Sequence, residues 1–290
     1  MTDALRPSSD AALSAWAARV RANREQVDAF RETTTNDFYA PIARMFRADP
    51  RRADDPALDL LRSLVQPDDV VLDIGAGGGR LALPLALTTK EVIALEPSAG
   101  MLDVLRTGLA EHGIDNVRVV QGRWPETSLT GDVALMSQIG YDIEDIGPFL
   151  DALEAAASRL CIAVLLDRPP PAEADRLWPL VHGVERAALP ALPEFLTLLL
   201  ARGAVPEVRL VSRGAQSYPD PEVLLAWLRG QLWTKPDSEK DRQLQRVIAE
   251  RVERRDDHVA LSWQPVQIGV VTWPSRVRRA ALLEEPAQLG

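Results

Sequence analysis

The chain has 290 residues, of which 46% are hydrophobic and 26% charged, with a net charge of −9 and an isoelectric point near 5.0. This composition fits a folded globular protein with a substantial core, and the negative charge opposes long-range attraction to nucleic acid. No apolar run reaches the roughly 18 residues of a membrane-spanning helix, the first ten residues lack an apolar signal core, and Cys161 is the only cysteine, so a cytoplasmic protein without internal disulfide or cysteine-rich metal site is expected.

Within Asp10–Phe46, the residues Leu13, Trp16, Val20, Val27 and Phe30 recur at helical spacing and predict a helical N-terminal extension. Pro50, Asp54, Asp55 and Pro56 interrupt it, and Ala57–Val65 resumes as a short helix. From Pro67 onward strands and helices alternate. Strands are expected at Val70–Ile74, Glu91–Leu95, Val117–Gln121, Val133–Ser137 and Cys161–Leu166, with helices at Leu81–Leu87, Ala99–His112 and Ile146–Ala157. Strands separated by helices imply a parallel sheet, and the apolar runs at Val133–Ser137 and Cys161–Leu166 imply burial on both faces.

After Asp167 the run Pro169-Pro170-Pro171 changes the rhythm. Helices are expected at Pro190–Arg202, Pro221–Trp233 and Ser238–Arg254, and strands at Val208–Val211 and Val266–Trp273. The expected architecture is α/β: a doubly wound, mostly parallel seven-stranded Rossmann-like sheet in residues 67–290. Residues 1–66 form an N-terminal helical cap, and insertions fall at 168–189 and 220–262.

The first strand runs into Gly75-Ala76-Gly77-Gly78-Gly79, and a helix opens at Arg80. Glycines permit positive φ and close approach of a ligand to the backbone, while the amides of a helix start attract electron-rich groups. A tight structural turn is the alternative, which three alternating glycines after an acid-ended strand disfavour. The order of Asp73, Gly75, Gly77 and Gly79 places an acid at the strand end, before alternating glycines. The dinucleotide fingerprint fits this register poorly, because its sixth position from Gly75 is Arg80; a start at Gly77 reaches Ala82 but leaves Asp73 unused. The second strand ends at Glu96, roughly 20 residues on, where an acid meets ribose hydroxyls in such folds. Its two oxygens can accept from both hydroxyls, although capping the next helix is the alternative.

The segment from Asp73 to Gly79, together with Glu96-Pro97-Ser98 and Met101, resembles the first two motifs of class I methyltransferases. The resemblance implies S-adenosyl-L-methionine as cofactor, with the loop around its methionine part, Asp73 holding its amino group, Glu96 its ribose and Met101 packing on adenine. An ordinary core methionine is the alternative reading of Met101. The third strand ends in Gln121-Gly122-Arg123-Trp124, where many family members carry an acid toward the adenine amino group. Arg123 departs from that pattern, leaving backbone or Gln121 for the hydrogen bond and Trp124 to cover the ring. The fourth strand ends at Ser137-Gln138-Ile139, which in the family faces the reacting sulfur. Motif-level resemblance covers about Val70–Leu166; Pro190–Trp273 follows by element order alone.

The resemblance implies methyl transfer to oxygen, nitrogen, carbon or sulfur, by positioning and desolvation. No catalytic residue stands out. Asp142, Glu144 and Asp145 read as a candidate base or as helix-capping acids, and His112, His182 and His258 carry no catalytic pattern. No metal-ligand spacing is present. Phe38 and Tyr39 suggest a lid or packing of the N-terminal helices. Trp227, Trp233, Trp263 and Trp273 suggest an acceptor pocket or core, and Arg276-Val277-Arg278-Arg279 a solvated basic surface. The Asn/Asp-Pro-Pro-Tyr/Phe signature of amino-directed nucleic-acid methyltransferases is missing after Met136, which with the acidic charge points to a small-molecule acceptor. The alternatives are a non-catalytic sensing or partner-binding protein that retains the cofactor pocket and, ranked last, an NAD-dependent oxidoreductase.

Overall fold

The computed structural model describes residues 7–34, 40–53, 55–169, 172–213, 217–255, 258–261 and 266–284. Helix α1, Ser9–Phe30, opens at Ser8, whose side chain accepts the Ala11 N–H, and buries Trp16, Val20 and Val27 along one face. The chain leaves the helix at Arg31, and Glu32 N donates to Trp233 O at 2.8 Å. The helix expected through Phe46 therefore stops at Phe30, because a distant segment captures the next amide. A 3₁₀ segment, Ala40–Phe46, and helix α2, Pro56–Leu64, lead into the sheet.

The core units follow in chain order: β1 Val70–Ile74, α3 Ala82–Ala86, β2 Glu91–Glu96, α4 Ala99–His112, β3 Val117–Gln121, β4 Gly131–Ser137, α5 Ile146–Ala156 and β5 Ala157–Leu166. Helices α6, Ala172–His182, and α7, Leu192–Ala201, precede β6, Glu207–Arg213. Next come β7 Ser217–Tyr218, α8 Pro221–Leu232, α9 Glu239–Ala249, β8 Val252–Arg255, β9 His258–Leu261, β10 Val266–Pro274 and α10 Arg276–Glu284.

The described residues form a seven-stranded sheet in the order β3-β2-β1-β4-β5-β10-β6, with β10 antiparallel to both neighbours and the remaining pairings parallel. This is the expected mostly parallel α/β sheet. Residues such as Val71, Leu72, Ala94, Val133 and Ala134 are wholly buried, as the apolar runs required. One face packs on α1, α5 and α7 through Trp16, Phe149, Leu150 and Phe195, the other on α2, α3 and α4 through Leu58, Leu61, Leu85 and Leu102.

A second core joins Val27 of α1 to Leu177 and Trp178 of α6, Leu228 of α8, Leu244 of α9, and Tyr218 and Val259 of a small sheet in the order β7-β9-β8. That sheet corrects the expected helix Ser238–Arg254, which ends at Ala249. Val252 pairs with Leu261 and Arg254 with Val259, so cross-strand pairing overrides the helical propensity of a Glu- and Arg-rich run. Among the described residues no helix is long and apolar enough to cross a membrane.

Candidate functional site

The sheet order splits after β1, with β2 and β3 on one side and β4 and β5 on the other. Ligands of doubly wound sheets bind at the carboxyl ends of strands around such a switch. The loop after β1 begins as Gly75 N and Ala76 N both donate to Leu95 O, at 2.8 and 3.0 Å. Gly75, Gly77 and Gly79 all take positive φ, at 73°, 55° and 85°. The three differ in surroundings. A Cβ on Gly79 would stand 2.5 Å from Leu105 Cδ1, whereas one on Gly77 would meet nothing within 4 Å. Gly79 is thus needed for packing against α4, and Gly77 borders open space.

Glu96 fixes that open stretch from below. Its Oε2 accepts the Gly77 N–H and its Oε1 the Ser98 N–H, each at 2.9 Å. Capping and ribose binding are compatible roles, since a carboxylate offers about four acceptor positions. Asp73 is 2% exposed, and its Oδ2 has no hydrogen-bond partner among the described residues. Burial pushes its carboxyl up to about 7, and the nearby charge of Glu96 adds to the shift. Two acids under a glycine loop make a place for a cationic donor and disfavour a phosphate.

The remaining predicted residues extend outward from this pair. Ser98 caps α4 through the Met101 N–H at 3.3 Å; Met101 is buried and Pro97 exposed. Gly122 N donates to Glu96 O at 3.2 Å, tying the ends of β2 and β3 together, and Gln121 Nε2 donates to Pro97 O at 3.4 Å. Arg123 is exposed, and its carbonyl accepts from Thr127 N at 3.1 Å. Trp124 is half-buried and donates from its indole to Phe149 O of α5 at 3.2 Å. Ser137 ends β4 beside Gln138, which has φ 54° and donates from its amide to Val164 O at 2.8 Å.

Three further residues border this region: Ile139, already placed at the fourth strand end by the sequence, and Phe46 and Tyr141, which went unrecognised there. Ile139 covers the first loop glycine, 3.0 Å from where a Gly75 Cβ would lie. Phe46 packs over Gly78 and meets Trp227 of α8 edge-on at 6.2 Å, so the 3₁₀ segment joins the glycine loop to the second core. Tyr141 is buried, and its hydroxyl accepts the Leu166 N–H at 2.8 Å, joining the ends of β4 and β5. These contacts link segments far apart in sequence, so no local pattern marks them.

The other candidates separate. Glu144 pairs with Arg21 and Arg24 of α1 at 2.7 and 2.9 Å, which hold its carboxyl below the usual range. Asp145 occupies the N-cap position of α5 without a side-chain cap bond. Trp273 is core, its indole N–H donating to Glu154 at 3.2 Å. His182 lies in the second core with its ring 4.0 Å from that of Trp178, and burial pushes it down to about 4. In the basic run, Arg276 and Arg279 bind Glu154, and Arg276 also binds Asp151. Phe38, Tyr39 and Trp263 lie outside the described residues.

Comparison with known proteins finds similarity over this region. Residues 71–156 match the family model described as a methyltransferase domain. An uncharacterised protein of Haemophilus influenzae is 34% identical over 98 residues, covering 33% of this chain and 36% of that one. The 23S rRNA (uracil(1939)-C(5))-methyltransferase RlmD of Xanthomonas campestris is 42% identical over 53 residues, 18% of this chain and 12% of that protein. The ribosomal RNA small subunit methyltransferase G of Mycobacterium leprae is 42% identical over 69 residues, covering 23% and 28%. The chain thus spans little more than a third, at most, of the length of these curated relatives.

Two solved structures share the fold. A candidate methyltransferase from Bacillus halodurans C-125 superposes with a TM-score of 0.53 at 14% identity, over 76% of this chain and 99% of that one. The YcgJ protein of Bacillus subtilis gives 0.51 at 17% identity, over 76% and 98%.

Proposed function

We propose, from the match of residues 71–156 to a methyltransferase domain and from the fold shared with two solved structures, that the protein transfers a methyl group from S-adenosylmethionine to a small-molecule acceptor. The observation that carries the cofactor assignment is Asp73, buried beside Glu96 with Oδ2 unpartnered among the described residues. An ammonium or sulfonium group answers that excess of negative charge, whereas a dinucleotide pyrophosphate would worsen it. When bound, S-adenosylmethionine supplies an electrophilic methyl group on a sulfonium.

The chain supplies positioning. Asp73 and the open backbone at Gly77, in the loop that Gly75 and Gly79 shape, hold the amino-acid end, and Glu96 holds the ribose. Pro97, Met101, Gly122, Arg123 and Trp124 border the adenine, and Ser137 faces the reacting end. Ile139, packed on Gly75, excludes water between the first and fourth strand ends. No general base is assigned, and catalysis rests on orientation and desolvation.

A small acceptor accords with the net charge of −9 and with the engagement of Arg276 and Arg279 by acids. The rRNA-directed names belong to relatives matched over 53 and 69 residues, too little to transfer an acceptor. Incubating the chain with methyl-labelled S-adenosylmethionine, a small-molecule extract and total RNA tests this reading. Label is expected in the low-molecular-weight fraction. Label in RNA would overturn the acceptor class, and cofactor binding without any transfer would favour a sensing protein.

A further inference from the structure

We propose that a pocket beside the cofactor loop holds an anionic group of the methyl acceptor, a carboxylate or a phosphate, through Arg52 and Arg80; this rests on the methyl-transfer reading above. The pocket has a volume of about 290 Å³ and is lined by Arg52, Asp55, Arg80, Val211, Ser212 and Ile268 among others. Arg80 directly follows Gly79 of the loop. Val211 and Ser212 belong to β6 and Ile268 to β10, which lie beyond β4 and β5 from the strands that carry Glu96 and Gln121. The pocket is therefore placed for a second molecule beside the cofactor rather than for the ribose or adenine.

Among the described residues its lining carries two guanidinium groups and one carboxylate. Asp55 accepts the Leu58 N–H at 3.2 Å on one oxygen, and on the other both Arg52 Nε at 3.0 Å and Arg80 Nη2 at 3.3 Å. Two guanidinium groups thus share one carboxylate, while neighbouring Arg62 has Asp59 at 3.2 Å. Arg52 Nη2 is buried, and although 3.0 Å from Asp55 Oδ2 it makes no hydrogen bond among the described residues. Burial without full compensation lowers the pKa of Arg52. The planar donor fork of arginine matches carboxylate and phosphate oxygens, and such a group would take up the buried N–H and the surplus charge together.

Calorimetric titration of the full chain with inorganic phosphate and with propionate, each with and without saturating S-adenosylhomocysteine, tests the proposal. At least one anion is expected to bind at a single site with S-adenosylhomocysteine still bound. Arg52→Gln and Arg80→Gln should each weaken it about tenfold, or 1.4 kcal/mol. Ser212→Glu, on the exposed side of the pocket, should weaken anion binding comparably and leaves the Arg52–Asp55 pair intact should an arginine variant fail to fold. Absence of anion binding by protein that binds S-adenosylhomocysteine overturns the acceptor pocket and spares the methyl-transfer reading. Displacement of the anion by S-adenosylhomocysteine also overturns it, because the arginines would then hold the cofactor's own carboxylate. Binding unchanged in the variants overturns it too. A wild-type chain that binds no S-adenosylhomocysteine overturns the reading on which the acceptor assignment stands.

Discussion

Asp73 combines three costs in one side chain: burial, an unpartnered oxygen and a neighbouring carboxylate. The folded carboxyl keeps its proton up to about pH 7, whereas an unfolded aspartate loses it near about 3.9. Its contribution to stability is therefore full below the lower value and is lost as pH rises through the upper one. Asp73→Asn should raise the melting temperature by an amount that grows from pH 5 to pH 8, as read by thermal denaturation, and a wild type equally stable at pH 8 would contradict the assignment. The glycines give a paired prediction. Gly79→Ala should lower the melting temperature more than Gly77→Ala, because only the former meets Leu105, while Gly77→Ala should weaken S-adenosylhomocysteine binding at least fivefold, about 1 kcal/mol of strain and obstruction. The acid and its alternating glycines were legible because backbone constraint restricts residue type directly. Phe46 and Tyr141 were not, since any apolar or aromatic residue is locally acceptable at those positions and only the fold gives them a partner.

At the scale of elements, the inner parallel strands were readable from apolar runs that no half-exposed strand would carry, whereas the edge strand β3 is half-exposed. The small sheet was not, because strands of two to four residues such as Val252–Arg255 are too short to establish a period and contain good helix formers. The second core, which that sheet helps to close, contains a pH-sensitive group. His182 Nε2 lies 3.0 Å from Leu232 O, and the ring packs on Trp178 and Phe30. Its folded pKa near 4 lies below the roughly 6.5 of an unfolded histidine. The stability it contributes is thus full above the higher value and lost as pH falls through the lower. Relative to wild type, His182→Gln should flatten the fall in melting temperature between pH 6.5 and pH 4.5. An unchanged slope in the variant would mean that the imidazole is not held neutral in the fold.

For the molecule as a whole, the switch between β1 and β4 brings Asp73, the glycine loop, Glu96 and Ile139 to one end of the sheet, and the outer strands β10 and β6 carry the pocket wall that faces Arg52 and Arg80. Net charge and the pairing of Arg276 and Arg279 with Asp151 and Glu154 argue against a polyanionic partner, so fluorescence anisotropy at physiological salt should detect no binding of a short RNA. Micromolar RNA binding would contradict that expectation. The measurement that bears most directly on the whole account is calorimetric titration of the chain with S-adenosylhomocysteine and NAD, beside Glu96→Gln. The account predicts that S-adenosylhomocysteine binds at one site and weakens about tenfold in the variant, or 1.4 kcal/mol, with no heat from NAD. A folded wild-type chain that ignores S-adenosylhomocysteine, or that prefers NAD, would contradict it.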